Sequence, residues 1–175
     1  MASVDWYFDF VSPFAYLQSE QLAQLGPKVR VHYRPVLFAG LLSAHGHKGP
    51  AEIPGKRTFT YRFVVWQAKR LGIGFKFPPE HPFNPLPLLR LALACDCAPD
   101  AVHRIFRFVW RDGRLPDLPI EWAELVHELQ VPDASERVAS SDPGPDRAGS
   151  PTQTRPSRDC SAFQIGTRAF VSSIA

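Results

Sequence analysis

Val4 to Gly26 reads VDWYFDFVSPFAYLQSEQLAQLG, and its two halves carry different periodicities. Val4 to Phe10 (VDWYFDF) is dense in aromatics and bounded by turn residues, which predicts a strand. Ser12-Pro13 then opens an apolar-periodic run through Phe14, Leu17, Leu22 and Leu25, closed by Gly26-Pro27. Ser as N-cap, Pro at the first helical position and Gly just past the last turn predict a helix. Val29 to Arg34 (VRVHYR) alternates and reads as a second strand. The first 36 residues are therefore β-α-β, with parallel strands and a right-handed crossover.

Beyond that unit the punctuation predicts helices. Arg57 to Leu71 is one, ended by Gly72. Asn84 caps the next, with Pro85 at its first position and Leu86 to Ala94 (LPLLRLALA) following; Pro87 is tolerated if it still lies in the first turn. Pro99 to Arg111 is a third, with Gly113 at its end. Pro119 to Gln130 is a fourth, with Trp122, Leu125, Val126 and Leu129 on one face. The sequence thus predicts an α/β fold in three parts. Residues 1–36 form the βαβ unit, 37–131 an all-helical insertion, and 132–175 a tail of different character.

The tail stands out by composition. From Pro132 to Ala162 the only residue among Val, Ile, Leu, Met, Phe, Trp and Tyr is Val138. Such a stretch buries too little apolar surface to offset its ordering entropy and reads as disordered. The chain as a whole is ordinary for a globular protein: 175 residues, 45% hydrophobic, 21% charged, net charge +3. The exception is proline, with 18 residues against an expectation of about 5%. The basic residues are scattered, which does not suggest nucleic acid. No apolar run approaches the roughly 18–20 residues that span a bilayer. The acidic N-terminus has no secretory n-region, and three cysteines suit reduced thiols, so a cytoplasmic protein is expected.

The sharpest candidate for chemistry is Ser12. A strand there delivers the chain to a helix N-terminus, where free N–H groups and the positive dipole end favour an anion. SPFA, Ser12 to Ala15, occupies the place where a thioredoxin-like βαβ unit carries C-x-x-C. Ser and Ala in the two cysteine positions cannot cycle a disulfide, which argues against an oxidoreductase. One hydroxyl can still donate a hydrogen bond to a thiolate brought by a ligand, or Ser12 can serve as an N-cap alone. Lys48 to Arg57 (KGPAEIPGKR) reads as a loop, either solvated or receiving the carboxylate of a substrate through Lys48, Lys56 and Arg57. Phe59, Phe63, Trp66, Phe106, Phe108 and Trp110 recur at helical spacing and read mainly as core, with some lining for an aromatic ligand as the alternative. Cys95 and Cys97 read as small buried thiols on a helix, since residues i and i+2 do not face each other. His45, His47 and His81 lack metal-ligand spacing and read as surface or loop histidines.

Four stretches carry a family resemblance: DWYFDFVSPFAYL (Asp5 to Leu17), YRPVLFAGLL (Tyr33 to Leu42), KGPAEIP (Lys48 to Pro54) and HPFNPL (His81 to Leu86). Together they resemble the 2-hydroxychromene-2-carboxylate isomerases, bacterial relatives of kappa-class glutathione transferases within the thioredoxin-like superfamily. The resemblance runs from residue 4 to about residue 130. It implies a DsbA-like thioredoxin fold with a helical insertion, glutathione as cofactor, and a homodimer. It places Ser12 on the family's catalytic serine, which hydrogen-bonds the glutathione sulfur, with Pro13 and Phe14 beside it in the cofactor site. It further implies an aromatic carboxylate as substrate, with Lys48 and Asn84 in loops that face the pocket. Ser43 and His47 stand where many family members carry Lys or Asn.

The tail departs from that pattern. The family carries F/V-G-V-P followed by Thr or Ser, whose cis-proline faces the serine, and then its last two strands. None of these motifs follows Val131, so the C-terminal strands of the fold are expected to be missing or disrupted. Reverse translation of Pro151 to Phe163 (PTQTRPSRDCSAF) with mostly G/C-ending codons, shifted back by one nucleotide, can read D-P-D-A-A-I-A-R-L-F-G-V-P. The residues from about 135 onward therefore read as a shifted frame of a longer fold.

Overall fold

The computed structural model describes residues 2–26 and 29–131. In it β1 (Ala2–Phe8) and β2 (Val29–Pro35) pair in parallel, in register from Ala2 opposite Val29 to Phe8 opposite Pro35. The helix α1 (Pro13–Leu22) and a 3-10 turn over Ala23–Leu25 make the crossover. The expected β-α-β unit is present, with β1 shifted toward the N-terminus: the ladder ends at Phe8. Asp9 leaves it because its carboxylate turns back to accept the N–H groups of Val11 and, from 29 residues away, Phe38.

Five more helices follow among the described residues. The first, α2 (Phe38–Ala44), was not anticipated from sequence. It is short, contains Gly40 and Ser43, and has no side-chain cap from its N-cap residue Leu37. Its first N–H is instead satisfied by Asp9 Oδ2 at 2.7 Å, a cap supplied by tertiary structure. After it, Pro50–Glu52 form a 3-10 turn closed by Glu52, whose carboxylate accepts the Gly49 N–H at 2.5 Å. Part of the expected Lys48 to Arg57 loop is therefore ordered turn, and its end is helix.

α3 (Pro54–Leu71) begins three residues before Arg57 because Pro54 fits the first helical position. It ends at Gly72, whose φ of +66° is the left-handed conformation that glycine adopts without a Cβ penalty. α4 (Leu86–Ala94) has Pro87 in its first turn, where the missing N–H costs no helical bond. Asn84 Oδ1 accepts the Leu86 N–H at 3.1 Å, as its position before the helix suggested. α5 is Pro99–Trp110 and α6 is Pro119–Glu128.

One continuous core joins these elements. Phe8, Phe10, Tyr16 and Leu17 of the βαβ unit meet Val64 of α3, Leu88 and Leu91 of α4, and Val102, Ile105, Phe106 and Val109 of α5. The α5 positions follow the i, i+3, i+4, i+7 pattern of a core-facing stripe. Burying each such large side chain contributes roughly 1.5–3 kcal/mol. Phe106 lies 5.7 Å from Phe8 and 4.6 Å from Phe10, centroid to centroid, so α5 packs across the end of β1. Glu20 on α1 accepts both Arg107 Nε and an Arg107 terminal nitrogen at 2.7 Å, a bidentate tie between α1 and α5. No helix among the described residues is long and apolar enough to cross a membrane. The reading of the tail over 132–175, with the expectation that the C-terminal strands are missing or disrupted, lies outside the described residues.

Candidate functional site

Ser12 sits where β1 hands over to α1. Its Oγ accepts the Ala15 N–H at 3.3 Å, and its carbonyl accepts the Tyr16 N–H at 3.2 Å. This is the expected N-cap. Because a lone pair of Oγ is taken by Ala15, the hydroxyl proton is left to donate outward. Pro13 has no N–H, and the Phe14 N–H has no protein acceptor among the described residues. A half-exposed O–H donor and a free amide thus stand together at the positive end of a ten-residue helix. Pro13 is buried and Phe14 half-buried beside them.

The segment leading to Ser12 is held through four backbone groups of Phe10, Val11 and Ser12. The Ser12 N–H donates to the Asp9 carbonyl at 3.1 Å, and the Val11 N–H donates to Asp9 Oδ1 at 3.1 Å. The Phe10 carbonyl accepts Trp110 Nε1–H at 2.8 Å, and the Val11 carbonyl accepts His81 Nε2–H at 2.8 Å. A carbonyl can only accept, so the His81 proton is on Nε2 and its Nδ1 is the acceptor. Nδ1 faces the Tyr61 hydroxyl at 2.7 Å. Sequence reading left His81 among loop histidines, and its signal, one ring nitrogen for each of two distant partners, exists only in three dimensions.

Burial dominates the electrostatics here. It pushes the Asp9 carboxyl above its ordinary value, only partly offset by the backbone N–H groups of Phe38, Val11 and Phe10. It lowers His81 below the usual imidazole value, and the nearby Arg57 acts in the same direction. It raises the Tyr61 phenol.

The other expected site residues lie on the surface. Lys48 is exposed in the loop between α2 and the Pro50–Glu52 turn, and Asn84 is exposed just after buried Phe83. Phe83 and His81 both pack against the Trp110 ring, at 6.3 and 5.3 Å, so the Asn84 loop adjoins the Ser12 junction. His45 and His47 are exposed after α2. Cys95 and Cys97 are half-buried and in no disulfide, and they lie in the turn after α4, not on the helix, with Cys97 at φ +51°.

The aromatic expectation divides. Phe106, Phe108 and Trp110 are fully buried, as expected, but Phe59, Phe63 and Trp66 are 69%, 38% and 49% exposed. They stack along the outer face of α3, with centroids 5.8 Å apart at each step. Phe14, second residue of α1, meets Phe63 at 6.1 Å. Helical spacing alone does not say whether a stripe faces a core or a surface, and these three depart from the core reading. The ladder brings flat apolar surface to within one side chain of Ser12.

A family model described as a DSBA-like thioredoxin domain matches residues 3–147. A 2-hydroxychromene-2-carboxylate isomerase of Pseudomonas putida is 31% identical over 120 residues, 66% of this chain and 59% of that protein. A kappa 2 glutathione S-transferase of Caenorhabditis elegans is 25% identical over 152 residues, 79% of this chain and 68% of that protein. A solved structure of a 2-hydroxychromene-2-carboxylate isomerase superposes with a TM-score of 0.67 at 23% identity, over 79% of this chain and 72% of the other. The chain spans about 59% of the length of the Pseudomonas isomerase.

Proposed function

We propose, from the premise that the chain belongs to the DSBA-like thioredoxin domain family, that it is a glutathione-dependent isomerase of the 2-hydroxychromene-2-carboxylate type. The observation that carries this reading is Ser12 in place of a cysteine, with its hydroxyl proton free to donate. The donor set fits a thiolate: one O–H, one amide without an acceptor and a helix dipole, with no cation in hydrogen-bond contact among the described residues. Ser12 Oγ–H would hold the sulfur, and the Phe14 N–H would add a second donor. Glutathione, when bound, supplies a thiolate that adds to a conjugated bond of the substrate and departs after bond rotation or ring opening, so it is not consumed. The ladder of Phe59, Phe63 and Trp66 supplies a stacking surface for an aromatic substrate, and Lys48 and Asn84 would meet its carboxylate. A cytoplasmic homodimer goes with the same reading.

A second reading, a kappa-type transferase, is supported by the longer overlap with the nematode transferase. The two differ in product. An isomerase returns glutathione in full, whereas a transferase accumulates a conjugate with one sulfur per substrate. Calorimetric titration with glutathione is the first test. Absence of heat at millimolar thiol favours a non-catalytic binding module or an inactive form of the enzyme.

A further inference from the structure

We propose that His81, oriented by Tyr61 and Trp110, is a positioning residue that fixes where Ser12 stands. This rests on the reading of Ser12 as the group that meets the sulfur. Two consecutive carbonyls, Phe10 and Val11, are held by two side chains from the helical part of the chain, Trp110 and His81, each at 2.8 Å. Those side chains brace each other edge to face, ring centroids 5.3 Å apart at 69°. His81 is in turn held from behind by the Tyr61 hydroxyl, 2.7 Å from Nδ1 and 3.1 Å from the His81 carbonyl.

The Val11 carbonyl and the Ser12 N–H belong to the same peptide plane. Fixing that carbonyl fixes the peptide plane, and with it the direction in which the Ser12 Cα–Cβ bond leaves the chain. A hydroxyl on a freely rotating junction would lose the alignment that a thiolate needs, because displacements near 1 Å change reactivity strongly. The α1 N-cap does not supply this constraint, since it acts only from Ser12 onward. On the near side Asp9 holds the N–H groups of Val11 and Ser12, and His81 holds the opposite side of the same turn.

The clamp can be read without glutathione by placing a thiol at the position of Ser12. Ser12→Cys puts the thiol at a helix N-terminus, which favours its thiolate. Its alkylation by iodoacetamide across pH gives an apparent pKa and a rate, with the unsubstituted protein reporting the background of Cys95, Cys97 and Cys160. In the Ser12→Cys background, His81→Leu should slow alkylation at neutral pH by roughly three- to tenfold. His81→Gln, whose amide N–H can reach the Val11 carbonyl, should recover most of that loss. Tyr61→Phe should give a smaller slowing in the same direction. Thermal unfolding of each variant reports folding separately. A folded His81→Leu protein with unchanged thiol reactivity overturns the proposal. If His81→Leu does not fold, Tyr61→Phe decides in its place, and no slowing there overturns it equally. Failure of a version with the restored C-terminus to bind glutathione would sink the functional reading and leave this measurement standing.

Discussion

The Trp110 indole N–H donates to the Phe10 carbonyl at 2.8 Å, although 100 residues separate them. The bond is fully buried, and it ends two residues before Ser12. It joins the last turn of α5 to the strand–helix junction, so the helical part of the chain builds the site as much as the βαβ unit does. Trp110→Phe keeps most of the apolar volume but leaves that carbonyl without its donor. The expected cost is about 2–4 kcal/mol, combining a buried unpaired acceptor with a cavity. Thermal unfolding should show a drop in Tm of several degrees.

Glu20 and Arg107 give a stability term with a definite pH direction. Burial alone would raise the Glu20 carboxyl, but the hydrogen bonds from Arg107 and the attraction of His103, whose Nε2 lies 3.0 Å away, outweigh it and hold the group below its ordinary 4.5. A carboxylate with a depressed folded-state pKa stabilises the fold above the unfolded value and loses that contribution as pH falls through the folded one. Glu20→Gln should therefore destabilise at neutral pH by about 1–3 kcal/mol. Below pH 4.5 the gap between mutant and parent should close. Unfolding followed at pH 7 and at pH 3 checks this, and an equal gap at both values contradicts it.

Asp9 works in the opposite sense. Its folded-state pKa lies above the ordinary 3.8 because it is buried. Its contribution is thus greatest below 3.8 and falls as pH rises through the raised value. Asp9→Asn removes one of two acceptor oxygens, and either Val11 or Phe38 loses its partner. The expected cost is about 1–3 kcal/mol, larger in acid than at neutral pH. Amide exchange at Phe38 should quicken, because α2 loses the cap on its first N–H.

These three residues also mark how far the sequence could be read. The strand, the Ser12-Pro13 start and the Gly72 stop were legible because each is set by local chemistry: alternation, an N-cap, a left-handed glycine. The helix α2 was not, since its cap comes from Asp9, 29 residues away. His81 was not, since its two partners lie 20 and 70 residues off. The exposed ladder of Phe59, Phe63 and Trp66 departs from the core reading because a 3.6-residue period gives a face but not its partner. Local signals thus located the catalytic candidate, while its support required tertiary contacts.

The last prediction joins Ser12 to the tail. Ser12→Ala removes the O–H donor and the acceptor for the Ala15 N–H. An N-cap lost in this way costs about 1 kcal/mol, so the fold should survive while turnover falls strongly. That fall is measurable only in a protein whose glutathione site is complete. The motif F-G-V-P, absent from the 175-residue chain, can be encoded by codons for Pro151 to Phe163 read one nucleotide back. We therefore expect weak or absent isomerase activity in the chain as it stands, and clear activity in a version whose C-terminus follows the shifted frame. Sequencing the coding DNA across residues 130–175 comes first: if no frame encodes F-G-V-P, the frame reading is dead. Full activity in the 175-residue chain would refute it by a second route. An active restored enzyme indifferent to Ser12→Ala would instead remove the serine from the mechanism, because no other residue described at the α1 N-terminus offers the sulfur a hydroxyl.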